Sequence, residues 1–116
     1  MRIQIKRIYE EPHPDDGTRI LVDRLWPRGI RKEQANIHYW AKEIAPSNAL
    51  RKWYQHDPDK WDEFRQRYYD ELNTKPEALE TFKAQLTGDT VTFLFSSKER
   101  ELNNAVVLKE YVESIS

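Results

Sequence analysis

The chain opens on alternation. In "RIQIKRIY" (2–9), Ile3 and Ile5 fall on one side and charged or polar residues on the other, the period-two pattern of a strand with one wet face. "EEPHPDDGTR" (10–19) holds two prolines, an Asp-Asp-Gly turn signal and no apolar residue, and reads as loop. "RILVDRLW" (19–26) has a continuous Ile20-Leu21-Val22 centre instead, which suits a strand covered on both faces; Pro27 and Gly29 stop it. "TVTFLFSS" (90–97), with Val91, Phe93 and Phe95 on one side, is the third predicted strand.

Between these strands the period lengthens to that of a helix. A short helix is predicted over 35–42, ended before Pro46 because the residue preceding a proline is pushed out of the helical region. Ser47 then caps "NALRKWYQ". The strongest helical pattern is "HDPDKWDEFRQRYYDELN" (56–73). His56-Asp57 forms its capping turn, Pro58 fits the first helical position, and Trp61, Phe64, Tyr68 and Leu72 share a face. "KPEALETFKAQL" (75–86) repeats the device with Leu79, Phe82 and Leu86, and Gly88-Asp89 ends it. Ala105, Leu108, Val112 and Ile115 stripe a last helix.

The order β-β-α-α-α-α-β-α predicts one layered α/β domain over residues 1–116, a small, mostly parallel three-stranded sheet flanked by helices. The link between the first two strands is about ten residues, short for a parallel crossover. It leaves an antiparallel hairpin open as the alternative.

Composition narrows the function classes. Four Trp, six Tyr and four Phe supply large buried surfaces to a chain of 116 residues that is otherwise polar. A net charge of −1 argues against a generic nucleic-acid binder and demands a local patch for any such role. The absence of cysteine excludes disulfides, thiol chemistry and cysteine-held metals. No apolar run is long enough for a signal peptide or a membrane span, so a cytoplasmic protein with no membrane partner is expected. The three glycines, Gly17, Gly29 and Gly88, form no Walker or dinucleotide fingerprint, and no cofactor is expected.

In open α/β sheets ligands bind beyond the carboxyl ends of the strands. Two such exits are polar here. "DRLWPRG" brings Asp23, Arg24, Trp26 and Arg28 together, and 24–32 carries four cations and no acid. "SSKERELNN" places Ser97 and Lys98 ahead of a helix that Asn103 and Asn104 open, either as local caps or as ligand-facing amides. Together these favour an anionic ligand, phosphate- or carboxylate-bearing, because an arginine fork grips two oxygens at once. Arg24, Trp26, Arg28, Lys42, Ser97, Lys98 and Asn103 are the candidate ligand-binding residues. Asp23 and Glu43 are the candidate acid–base groups. Against this stand plainer readings: Asp23 pairing with an arginine to fix its loop, Trp26 in the core, and Lys42-Glu43 as an exposed charge pair. His13 with Asp15 and Asp16 is a weak metal candidate, better explained as a polar loop, and no metal is expected.

The blocks "DGTRILVDRLWPRG", "WAKEIAPSNALRKWY", "FRQRYYDEL" and "TFLFSSKERELNNAVVLKEY" resemble the YeaO-like family of small bacterial proteins, a domain of unknown function, over essentially the whole chain. The resemblance implies a compact cytoplasmic α/β domain. The residues matching its motifs are Asp23, Arg24, Trp26, Pro27, Arg28, Gly29, Lys42, Glu43, Pro46, Ser47, Arg51, Ser97, Lys98 and Asn103. Relatives often carry Ala-Lys-Asp where this chain has Ser97-Lys98-Glu99, which sets a longer carboxylate there. More distant, longer relatives pair a similar strand exit with a Cys-His-Arg cluster. Without cysteine this chain cannot share thiol chemistry with them. Two function classes follow: a small-anion binding domain or enzyme, and a nucleic-acid-associated module using 24–32 with Trp26 or Trp53 stacking on bases. The aromatic content also leaves a protein-interaction domain open.

Overall fold

The computed structural model describes residues 1–115. Four parallel strands form one sheet in the order β1-β4-β2-β3: β1 is Arg2–Arg7, β2 Thr18–Leu21, β3 Tyr39–Trp40 and β4 Thr90–Phe95. The helices are α1 Lys32–Ala35, α2 Asn48–Tyr54, α3 Trp61–Asn73, α4 Pro76–Lys83 and α5 Asn104–Ile115.

The α/β class and parallel sheet are as expected, but the sheet has four strands rather than three. The extra strand lies inside 35–42, where a helix was predicted. There the chain runs extended beside β2. The His38 N–H donates to the Arg19 carbonyl at 2.8 Å and the Ala41 N–H to the Leu21 carbonyl at 2.8 Å. Pairing along an open sheet edge overrides the weak helical pattern of this stretch. Helix survives only on either side, as α1 and a 3-10 turn at Lys42–Ile44.

The hairpin alternative fails as well. β1 and β2 are not neighbours; β4 separates them and pairs in parallel with both. The connection therefore returns along the sheet and crosses β4. Six residues of β1 rise about 20 Å, and two strand spacings add about 10 Å sideways. Ten extended residues reach about 35 Å, so no helix is needed to span it.

The two faces of the sheet are built differently. Ile3, Ile20, Val22, Val91, Phe93 and Phe95 point to the face covered by α2–α5, where Phe64, Tyr68, Leu72, Phe82 and Leu108 complete the main core. Tyr68 is wholly buried, and its hydroxyl donates to the Ile44 carbonyl at 2.7 Å. Burial, reinforced by the nearby Asp23 and Glu71 charges, pushes this phenol well above its ordinary value. On the opposite face Leu21, Leu94, Ile8 and Ala35 make a smaller cluster with Trp26 and Trp40.

The N-terminal half of that second face is polar. Asp16, 5% exposed, accepts from Lys6 Nζ at 3.1 Å, from the His13 N–H at 3.0 Å, and from Arg19 in a short ion pair. Arg19, 4% exposed, spends its remaining donors on the carbonyls of Asn36 (3.0 Å) and Ala35 (2.9 Å). The buried Thr92 hydroxyl donates to the Asp16 carbonyl at 2.7 Å. Gly17, at φ +63°, brings the crossover against β4: a Cβ there would lie 2.1 Å from the Thr90 carbonyl oxygen.

Burial pushes the Asp16 carboxyl up. The His13 N–H, Lys6 and Arg19 together outweigh it and hold the group below the ordinary aspartate value. Its unfolded form takes up a proton first, so this stabilisation is fully present above about pH 4 and is lost as pH falls through the folded value. In acid titration followed by circular dichroism, Asp16→Asn is expected to flatten the loss of stability below pH 4. In urea at neutral pH, Asp16→Ala is expected to cost about 3 kcal/mol, because the buried Arg19 and the part-buried Lys6 lose their shared partner. Gly17→Ala is expected to prevent folding. Gly29→Ala, at φ +81° with open space around it, is expected to cost only about 1 kcal/mol.

Candidate functional site

The carboxyl ends of β1, β2 and β4 open at one end of the sheet, and the first residues beyond them make the site. Asp23 stands two residues past β2. Its Oδ2 accepts from the Ser96 N–H at 2.9 Å and the Ser96 hydroxyl at 2.7 Å, and its Oδ1 accepts from Asn104 Nδ2 at 3.1 Å. The same Asn104 amide donates to the Val22 carbonyl at 2.9 Å, and the Asp23 carbonyl accepts from the Trp40 indole at 2.7 Å. The exits of β2 and β4, the start of α5 and the end of β3 are thus tied together by one residue. A helix N-terminus next to a strand exit favours an anion. Here the anion beside the start of α5 is the chain's own carboxylate.

Arg24 turns away from this centre. Its Nε donates to the Pro46 carbonyl and its Nη2 to the Ala45 carbonyl, each at 2.9 Å. It therefore pins "KEIAPS" (42–47) to the exit of β2. Trp26 packs edge-on against Trp40, with ring centroids 5.4 Å apart, and its indole donates to the Ile30 carbonyl at 2.7 Å. That ring closes the small cluster on the second face rather than presenting a stacking surface. Trp53 is likewise engaged, between Lys60 (5.2 Å) and Arg67 (4.4 Å).

Asn103 is 1% exposed and spends both ends of its amide locally. Nδ2 donates to the Glu99 carbonyl at 2.8 Å and Oδ1 accepts from the Val106 N–H at 3.1 Å, which caps α5. The Ser97 hydroxyl accepts from the Glu99 N–H at 2.9 Å. Glu99 turns its carboxylate onto the N–H groups of Glu101 (3.0 Å) and Leu102 (3.2 Å), which lower its pKa. The longer acid at this position therefore serves the turn before α5. Lys42 lies 5.0 Å from the Trp40 ring centre. The Glu43 side chain is exposed and, among the described residues, is not joined to Asp23; its carbonyl accepts from Lys75 at 3.0 Å.

Arg28 and Lys98 differ from all of these. Both side chains are exposed, and among the described residues neither has an ion-pair or hydrogen-bond partner. One contact supports the Arg28 backbone and the two residues before Lys98. The Tyr9 hydroxyl donates to the Arg28 carbonyl at 3.0 Å, and the Arg7 guanidinium sits 4.9 Å from the Tyr9 ring centre. Arg7 in turn donates to the carbonyls of Ser97 (2.8 Å) and Ser96 (3.0 Å). Tyr9 and Leu25 add exposed apolar surface to this rim, while the nearby Arg100 is paired with Glu10 at 3.1 Å.

Sequence reasoning placed Asp23, Arg24, Arg28, Ser97 and Lys98 beyond the carboxyl ends of their strands, where the structure has them. It missed Arg7 and Tyr9, because β1 was not known to lie beside β4, and it missed the bond between Asn104 and Asp23. The doubled Asn before α5 was the available signal: one caps, the other reaches across. Asp23→Asn would turn an amide nitrogen toward the Asn104 amide and is expected to cost about 2 kcal/mol in urea denaturation. Adding Asn104→Asp restores an acceptor, so the double variant is expected to be clearly more stable than the sum of the two single losses.

No helix among the described residues is long and apolar enough to cross a membrane. The chain matches the family model DUF488-N3i, described as the inactive DUF488-N3 subclade, over residues 2–115. It is 43% identical over 110 residues to the uncharacterised protein Rv3073c of Mycobacterium tuberculosis, covering 94% of this chain and 92% of that protein. It is 38% identical over 115 residues to the uncharacterised protein YeaO of Escherichia coli, covering 99% of this chain and 100% of that protein. No solved structure matches it. These matches agree with the resemblance carried by the sequence blocks: the chain belongs to the YeaO-like proteins of the DUF488-N3 group, in the subclade described as inactive.

Proposed function

We propose that the chain is a binding domain without catalytic chemistry, which takes an anionic ligand, phosphate- or carboxylate-bearing, on the rim formed by Arg28 and Lys98. The observation that carries this reading is the contrast among the cations at the strand exits. Arg7 and Arg24 are spent on backbone carbonyls, whereas among the described residues Arg28 and Lys98 stay exposed and unpaired, next to backbone held by the Arg7–Tyr9 contact. Anchoring the backbone next to each cation lowers part of the ordering cost of binding. Asp23, the strongest acid–base candidate, has both oxygens occupied by donors of its own chain, which suits a structural role. The family description, inactive, points the same way. The nucleic-acid alternative is less supported, since Trp26 and Trp53 are engaged within the fold.

Thermal melting against inorganic phosphate, pyrophosphate and citrate tests the proposal. A probe present at about a hundred times its Kd adds about 2.7 kcal/mol. The wild type is expected to shift with at least one of the three, and Arg28→Ala and Lys98→Ala each to lose most of that shift while melting normally without probe. Equal shifts in all three proteins, or none in any, would count against the rim.

A further inference from the structure

The opposite end of the sheet, where the strands begin, holds an open cavity of about 590 Å³, a size ordinary for metabolite sites. Pro12, His13, Pro14, Ile37 and His38 line it together with the buried Arg19. A second depression of about 570 Å³ shares Pro14, Gly17 and His38 with it and reaches Arg2. Nothing at the strand exits takes part in either.

Two histidines face one cavity, and their hydrogen bonds decide what they can offer. His13 Nδ1 accepts from the Asp15 N–H at 3.0 Å, and His38 Nδ1 accepts from the Arg19 N–H at 3.0 Å. A backbone N–H can only donate, so each Nδ1 must carry a lone pair. Each neutral ring therefore carries its proton on Nε2 and is a donor there. A metal would need the reverse tautomer, with Nδ1–H set against a backbone N–H. Among the described residues no group of three or more His, Asp or Glu is arranged to hold one.

The charge behind the cavity has the matching sign. Arg19 and Lys6 share the single carboxylate of Asp16, which leaves one net positive charge in a cluster buried except at Lys6. An Asp15 carboxylate oxygen lies 3.5 Å from His13 Nδ1, farther than the backbone N–H that Nδ1 accepts from, and with 90% of that side chain exposed solvent screens its opposing charge.

From this geometry we infer that the cavity is a second ligand site, which takes a small oxyanion on the Nε2–H groups of His13 and His38. Pro12, Pro14 and Ile37 supply apolar walls for the body that bears it. The site does not depend on the Arg28–Lys98 rim.

Long-range ¹H–¹⁵N histidine spectra, recorded on the whole chain near neutral pH, test the inference directly. Both rings are expected as Nε2–H tautomers. Titration with acetate, and separately with inorganic phosphate, is expected to move the His13 and His38 resonances saturably with at least one probe. Saturation with acetate alone identifies a carboxylate ligand, and with phosphate alone a phosphate. His13→Phe is expected to weaken that binding at least tenfold, and Arg28→Ala to leave it unchanged. Because the wild-type titration needs no variant, a poorly folding His38→Phe would not obscure the result. Nδ1–H tautomers, zinc binding at both rings, no saturable shift with either probe, or loss of the shift in Arg28→Ala would each overturn it.

Discussion

The shared ion cluster of Asp16, Lys6 and Arg19 is the constraint on which the rest of the structure depends. A crossover whose only helical part is the single 3-10 turn Pro14–Asp16 has to lie on the sheet, and its backbone groups must then find partners there. Asp16 supplies them. Its carboxylate holds β1 through Lys6 and β2 through Arg19, and its carbonyl takes the hydroxyl of Thr92 on β4. One residue therefore fixes the spacing of three strands from the face that lacks long helices. Arg19 extends the cluster to the carbonyls of Ala35 and Asn36, which positions the chain entering β3.

A second carboxylate performs a related task at the other end. Asp23 joins the exits of β2 and β4 to the start of α5, where an external anion would otherwise meet a helix N-terminus and a free serine N–H. With that seat filled from within, the cations left over are on the rim. This internal occupancy commits the group most suited to move a proton to holding strands together.

Much of this was legible in the sequence. The stripes of α2–α5 follow local rules, whereas Asp57 caps the 3-10 turn Pro58–Lys60 ahead of α3 rather than α3 itself, and α4 ends at Lys83, before the predicted stop at Gly88-Asp89. Ser47 caps α2 as read, with its hydroxyl accepting from the Leu50 N–H at 3.1 Å. The strand-exit rule put Asp23, Arg28 and Lys98 beyond the carboxyl ends of their strands, where the structure has them. What failed was non-local. Two residues of β3 carry too little pattern to announce a strand, and they pair only because β2 offers an open edge. Arg24 looked like a ligand residue because nothing local shows that the carbonyls of Ala45 and Pro46 come within its reach.

The sequence by itself determined the class of fold, the main core, the absence of thiol chemistry and the family. These depend on periodicity, composition and motif, which are properties of neighbours along the chain. The tertiary structure alone decided the strand order, the clamp at Asp16, the commitment of Asp23 and the pairing of His13 with His38 around one cavity. Each of those depends on which segments, distant along the chain, meet around the sheet. A charge that reads as a binding residue in isolation becomes a structural one when a carbonyl or a counter-charge from a distant segment lies about 3 Å away.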